Sequence, residues 1–226
     1  MIIEISKPFR MYRSDTDMPP TNWDINHANN TKYGTKFGER GPKNQAGLFF
    51  FHDHIDVSNS YGVASLREIN KQKVLIDNQS EYYITEVKLA DSIRIIDFSK
   101  CQSMFMMIDL LMIHGMNILN DNFTNHINDS KLSRFSSSYN KYNETKDSIY
   151  VSSIYLTKRG MEFDYSYFGQ MLSDFENGIE LKKIFEEKNI DGYRWREHND
   201  PRGLTYCLLN SKKLQDPLVL KKEITL

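Results

Sequence analysis

The stretch Phe9-Arg10-Met11-Tyr12-Arg13-Ser14-Asp15-Thr16-Asp17-Met18-Pro19-Pro20 sets the reading of this chain. Residues 9–13 are rich in β-formers and read as a strand. From residue 15 to 41 the chain turns polar and rich in Asn, Gly and Pro, the composition of a long loop with room for one helical turn. A loop of that length in a compact domain is usually functional or disordered.

Working outward, Gly47-Leu48-Phe49-Phe50-Phe51 is a short apolar run after a turn and reads as a buried strand. Successive strand residues face opposite sides, so Phe49 and Phe51 share one face and Phe50 takes the other. In 58–72, Val63, Leu66 and Ile69 recur on one broad helical face. Residues 81–89 (EYYITEVKL) and 93–98 read as strands. Residues 100–119 read as a Met-rich helix; Asp109 and His114 interrupt its apolar run, which makes it a core helix and not a membrane span. Residues 121–147 are dominated by Asn, Ser, Lys and Asp and read as a loop or partly helical insert. Residues 149–156 suit strand or helix equally. Helical segments follow within 165–189, the last over 180–188. Strands over 191–195 and 204–209 flank the breaker-rich turn His198-Asn199-Asp200-Pro201-Arg202-Gly203. No repeat is visible. Strands outnumber helices at both ends, which gives an α+β class.

The 226 residues suffice for one substantial core, and 39% apolar with 26% charged residues fits a globular chain. A formal charge of -1 supplies no global basic field for nucleic acid. Cys101 and Cys207 sit far apart on apolar segments and read as buried thiols, not as a disulfide scaffold or zinc site. The N-terminal stretch carries Glu4 and no long apolar core, so no secretory signal is read and a cytoplasmic protein is expected, with delivery into a target cell left open. His52-Asp53-His54 reads as a polar loop after the aromatic strand rather than a metal site. Lys212, Lys213, Lys221 and Lys222 read as a solvated basic face.

Three patches carry a resemblance. Tyr12-Arg13-Ser14-Asp15-Thr16 with Pro19-Pro20 resembles the first strand of the cholera and pertussis toxin catalytic chains, members of the ADP-ribosyltransferase superfamily, which show Tyr-Arg, any residue, Asp-Ser/Thr and then prolines. The resemblance implies that Arg13 binds NAD phosphate and braces the nicotinamide pocket, with Tyr12, Ser14 and Asp15 beside it. A planar guanidinium suits phosphate oxygens, which it grips in a bidentate way. Gly47–Phe51, Ser58-Asn59-Ser60-Tyr61 and residues 82–89 are similar to the middle of poly(ADP-ribose) polymerases and diphtheria-type toxins. That similarity implies a nicotinamide pocket floored by Gly47, Phe50 and Phe51, with Ser60 next to it and Tyr61 stacking on the ring. The Ser-Thr-Ser strand of the cholera-type chains is absent. Asp191-Gly192-Tyr193-Arg194-Trp195, Glu197 and Thr205–Asn210 resemble the family's C-terminal strands. RES-domain NAD-degrading toxins show such a tail too, with a serine near the place of Glu197, an early arginine comparable to Arg13 and a second one that Arg40 loosely matches.

The resemblance implies a single ADP-ribosyltransferase-like domain over 1–226, with a split β-sheet core, flanking helices and a polar insert at about 121–147. It implies a mono-ADP-ribosyltransferase of bacterial toxin or effector type. NAD would be the substrate and nicotinamide the leaving group, with no metal and a protein or nucleic-acid acceptor. A neutralising immunity or antitoxin protein would be a further partner. Such an enzyme needs a carboxylate that stabilises the ribosyl cation. In the polymerase-like alignment that position falls on Thr205, and Glu197 is the nearest acid; Glu81 and Glu86 are lesser candidates. The catalytic pair is therefore expected to be Arg13 and Glu197, and the target-reading segment to lie in 121–147 or 194–203. The alternatives are a RES-like NAD hydrolase or phosphorylase and a non-catalytic NAD-fold binding module.

Overall fold

In β2 (Arg10–Asp15) buried Met11 follows exposed Arg10, and in β4 (Glu81–Lys88) half-buried and buried residues alternate on either side of the buried pair Ile84-Thr85. The computed structural model describes residues 1–16, 18–19, 47–72, 80–119, 129–151, 168–169, 172, 178–196 and 202–224. The remaining strands are β1 (Ile2–Ile5), β3 (Phe49–His52), β5 (Ile93–Asp97), β6 (Gly192–Arg196), β7 (Leu204–Leu208) and β8 (Leu218–Glu223). The helices are α1 (Ile55–Gln72), α2 (Cys101–Ile113), α3 (Asp129–Thr145), α4 (Ser148–Val151) and α5 (Gly178–Glu187). The class is α+β, as the sequence indicated. The strands form one open eight-stranded mixed sheet in the order β1-β5-β6-β7-β3-β2-β4-β8. Among these neighbours β5 and β6 are parallel and every other pair is antiparallel.

That order forces the sheet to curl. β4 and β5 are consecutive in sequence, yet five positions apart in the sheet. Five strand spacings in a flat sheet measure about 24 Å. The five peptide units from Lys88 to Ile93 reach at most about 18 Å. The link closes only because the two halves of the sheet turn toward each other. The concave face between them is filled by Met11, Phe49, Phe51, Val87, Leu89, Ile93, Ile95, Tyr206 and Leu208, which form one buried cluster. The chain after β7 ties the halves together: Ala90 N–H donates to the Lys213 carbonyl at 2.8 Å and Gln215 N–H to the Lys88 carbonyl at 2.9 Å.

The described helices pack on the convex face. Leu66 of α1 lies against Tyr82 and Ile84. α2 and α5 bury Met104, Met107, Ile108, Leu181 and Phe185 against Ile96, Tyr193 and Trp195. No described helix is long and apolar enough to cross a membrane.

Of the two forms expected for the insert at 121–147, the described residues show the partly helical one: α3 is a 17-residue helix whose Phe135 and Ser138 are buried. Several other expectations are corrected. The Met-rich helix ends at Ile113 and not at 119, because Gly115 sits at φ 75, a left-handed conformation that stops a helix. β1 and β8 are additional edge strands; β8 contains two of the lysines read as a solvated face, and Lys221 pairs with Glu81 at 2.5 Å. The core is one continuous sheet, where the resemblance implied a split one. Of the two thiols, Cys207 is buried and Cys101 partly exposed. Arg40, Glu197 and the loop read from residue 20 to 41 lie outside the described residues.

Candidate functional site

Arg13 and Asp15 stand two residues apart on β2 and so share its concave side with Met11. Arg13 Nε donates to Asp15 Oδ1 at 2.9 Å, and each side chain is 16% exposed. The pair leaves two charged atoms without a partner: Arg13 Nη1 and Asp15 Oδ2 are both buried and unbonded. Thr85 lies opposite Arg13 on β4, and its Oγ1 is buried and unbonded as well. Residues directly opposite in an antiparallel pair hold their Cβ atoms about 5 Å apart. Three residues with an unsatisfied polar atom thus share the concave face of neighbouring strands.

The same face continues across the sheet. Tyr12 pairs with His52, which brings Phe51 beside Arg13, and Phe51 pairs with Tyr206, Tyr206 with Arg194, and Arg194 with Asp97. Arg194 Nη2 donates to Asp97 Oδ2 at 2.8 Å and Nη1 to the Tyr206 hydroxyl at 2.8 Å. The other Asp97 oxygen accepts from Ser99 N–H at 3.0 Å and Ser99 Oγ at 2.7 Å. Burial pushes the Asp97 carboxyl up, but the hydrogen bonds and charge of Arg194 and the Ser99 donors outweigh it and hold the group below its ordinary value. Burial raises the Tyr206 phenol despite the neighbouring guanidinium. The sequence reading assigned this triad no role. Its signal was a charged residue between the aromatic Tyr193 and Trp195.

The residues expected to surround NAD divide between the two faces. Arg13, Asp15 and Phe51 belong to the concave side, and Phe51 is fully buried in its core. Tyr12 packs in the cluster under α1, and Ser14 shares its face. Phe50 meets Trp195 edge-on at 6.3 Å on the convex side, the opposite face from Phe51, as strand alternation required. Tyr61 stacks on His52, with centroids 4.9 Å apart and planes 7° from parallel, so one ring face offered to nicotinamide is against an imidazole. His52 Nδ1 lies 3.1 Å from Thr205 Oγ1. Ser60 Oγ donates to the Asp56 carbonyl and accepts from Arg202 Nη2 at 3.1 Å. Gly47 is buried at φ 62, where a side chain would be strained.

Among the lesser acids, Glu86 is paired with Arg10 at 3.5 Å and Glu81 with Lys221. His54 lies beside Asp56 at 3.7 Å, and no group of three His, Cys, Asp or Glu suited to a metal occurs among the described residues. The chain is thus an α+β protein with a curled mixed sheet and a polar cluster on the concave side. No protein-family model, curated protein or solved structure matches it.

Proposed function

We propose that this chain is an NAD-consuming enzyme of the ADP-ribosyltransferase type, which releases nicotinamide and passes ADP-ribose to a macromolecular acceptor. The observation that carries the reading is Arg13. It opens a Tyr-Arg-Ser-Asp run, it sits on an inner strand, and its guanidinium keeps a buried nitrogen that no protein group uses. A buried cationic donor without a partner is costly, and a ligand oxygen is the group that completes it.

The chain's own residues divide the work. Arg13 binds the nucleotide. Asp15 holds the guanidinium in plane through Nε. Arg194, fixed by Asp97 and Tyr206, stiffens the strand that leads to Glu197. Glu197 supplies the carboxylate that stabilises the ribosyl cation. The test is incubation with NAD labelled in both halves, with and without cell lysate. Release of nicotinamide together with label on macromolecules is the expected result. Release without macromolecular label makes the chain a hydrolase, and no release with NAD still bound makes it a binding module. For Glu197→Gln we expect turnover to fall about a hundredfold or more with NAD affinity little changed, since such a carboxylate acts mainly in the transition state.

A further inference from the structure

We infer that the open edge of β8 is a self-association surface. Two copies of this chain pair their β8 strands antiparallel about a two-fold axis beside Lys222, which continues the sheet from one molecule into the other. The inference is independent of the NAD reading.

Among the described residues β8 is the last strand of the sheet. Ile224 N–H donates to the Ser80 carbonyl at 2.9 Å, so Leu218, Leu220 and Lys222 are the residues of β8 that bond to β4. The N–H and C=O groups of Val219, Lys221 and Glu223 therefore point away from β4, and no group among the described residues meets them. Such a row is a template for a further strand. An antiparallel copy must set these outward residues opposite one another. Charge then chooses the register. Within the chain Glu223 lies directly opposite Glu81, like charge against like. Lys221 goes to Glu81, at 2.5 Å, and stays 4.0 Å from Glu223, whose side chain is 71% exposed. In the register centred on Lys222, each Glu223 faces the second copy's Lys221, so both carboxylates on this face gain a cation. On the other face half-buried Leu220 meets the second copy's Ile224, which extends the apolar cluster under α1 across the junction. The register centred on Lys221 sets that lysine against itself, and the one centred on Leu220 sets it against Val219. Lysines normally guard an edge by repelling a second strand. Alternation with Glu223 cancels that guard in one register, at the cost of Lys222 facing its own copy.

The test is sedimentation of the full chain over a concentration series, with amide exchange followed by NMR. A strand-edge contact is small, so a weak, concentration-dependent dimer is expected. As it forms, exchange at the Lys221 and Glu223 amides is expected to slow, while the Leu220 and Lys222 amides, already bonded to β4, are slow throughout. Glu223→Lys makes both charge pairs repulsive and is expected to weaken the dimer about tenfold or more. Adding Lys221→Glu restores opposite charges and is expected to recover most of that loss. Lys222→Thr removes the repulsion at the axis and is expected to tighten the dimer. A monomer at every concentration up to about 1 mM would overturn the proposal. So would Lys221 and Glu223 amides that exchange slowly at every concentration, which would mean that the edge is already covered within the molecule. A dimer that leaves these amides unchanged, or that is indifferent to Glu223→Lys, would place the interface elsewhere and equally end the idea. A charge-swapped variant that melts normally without regaining the dimer, or a weaker dimer in Lys222→Thr, would refute the register. The exchange data on the wild type decide the edge even if a variant fails to fold.

Discussion

The Asp97–Arg194 pair is the residue-scale feature with the clearest energetic consequence. Asp97 is 3% exposed and Arg194 18%, and Tyr206 takes the second arm of the guanidinium. Removing one member of a buried pair leaves the other charge uncompensated, which costs about 3 kcal/mol. Asp97→Asn is expected to lose about that much at neutral pH, measured by urea unfolding. The pH dependence has a definite sign. The folded pKa of Asp97 lies below its unfolded value, so its contribution is complete above the unfolded pKa of about 3.9 and disappears as pH falls through the folded pKa. Wild type should therefore lose stability below about pH 4 more steeply than Asp97→Asn, in melting curves taken from pH 6 to 2. Equal slopes would show that the pair is not coupled to folding.

At the scale of elements, α3 teaches most. Its sequence is Ser-, Asn- and Lys-rich, but Phe135, Ser138, Tyr139 and Tyr142 fall at helical spacing on one side. That side meets α2: Tyr142 stacks on Phe105 at 4.4 Å and the Tyr139 hydroxyl donates to Asp109 at 2.6 Å. Phe135 lies edge-on to Phe168 at 6.0 Å. The periodicity was legible in the residues. Averaged polarity concealed it, because a helix needs only a narrow apolar stripe to dock. Phe135→Ala should cost about 3–5 kcal/mol through cavity formation, read from denaturant midpoints at constant slope. A loss under about 1 kcal/mol would mean that α3 is not part of the cooperative core.

For the whole molecule, the sheet depends on the pairing of β6 with β7 at its middle. A Cβ built on Gly192 would lie 1.9 Å from the carbonyl oxygen of Cys207, backbone that cannot step aside without parting the strands. Gly192→Ala is therefore expected to destabilise the chain by more than about 4 kcal/mol, seen as loss of the cooperative thermal transition by circular dichroism. A normal melt would show that the strands can separate without cost to the sheet. Beside this contact, Lys213 binds Asp191 Oδ2 at 2.9 Å and Leu209 N–H donates to the Asp191 carbonyl at 2.9 Å, so the β6–β7 pair is tied at the same end.

Local chemistry made much of this chain legible. β2, β3, β4, β5, β6 and β7 were readable from β-rich runs bounded by breakers, and the opposition of Phe50 to Phe51 from strand alternation alone. β1 and β8 were not, because an edge strand buries little and its residues resemble a solvated terminus. Arg13 and Asp15 could be named from their motif, but their shared face with Thr85 could not. Thr85 is more than seventy residues away in sequence, and only the pairing of β2 with β4 brings it opposite Arg13. The same holds for Asp97 and Arg194, joined by the parallel pairing of β5 with β6. Sequence by itself determined which residues form the six inner strands and that successive residues on them face opposite ways. Tertiary structure alone decided strand order, the curl and the meeting of polar atoms on the concave side, since these arise from long-range pairing and from a β4–β5 link too short for a flat sheet.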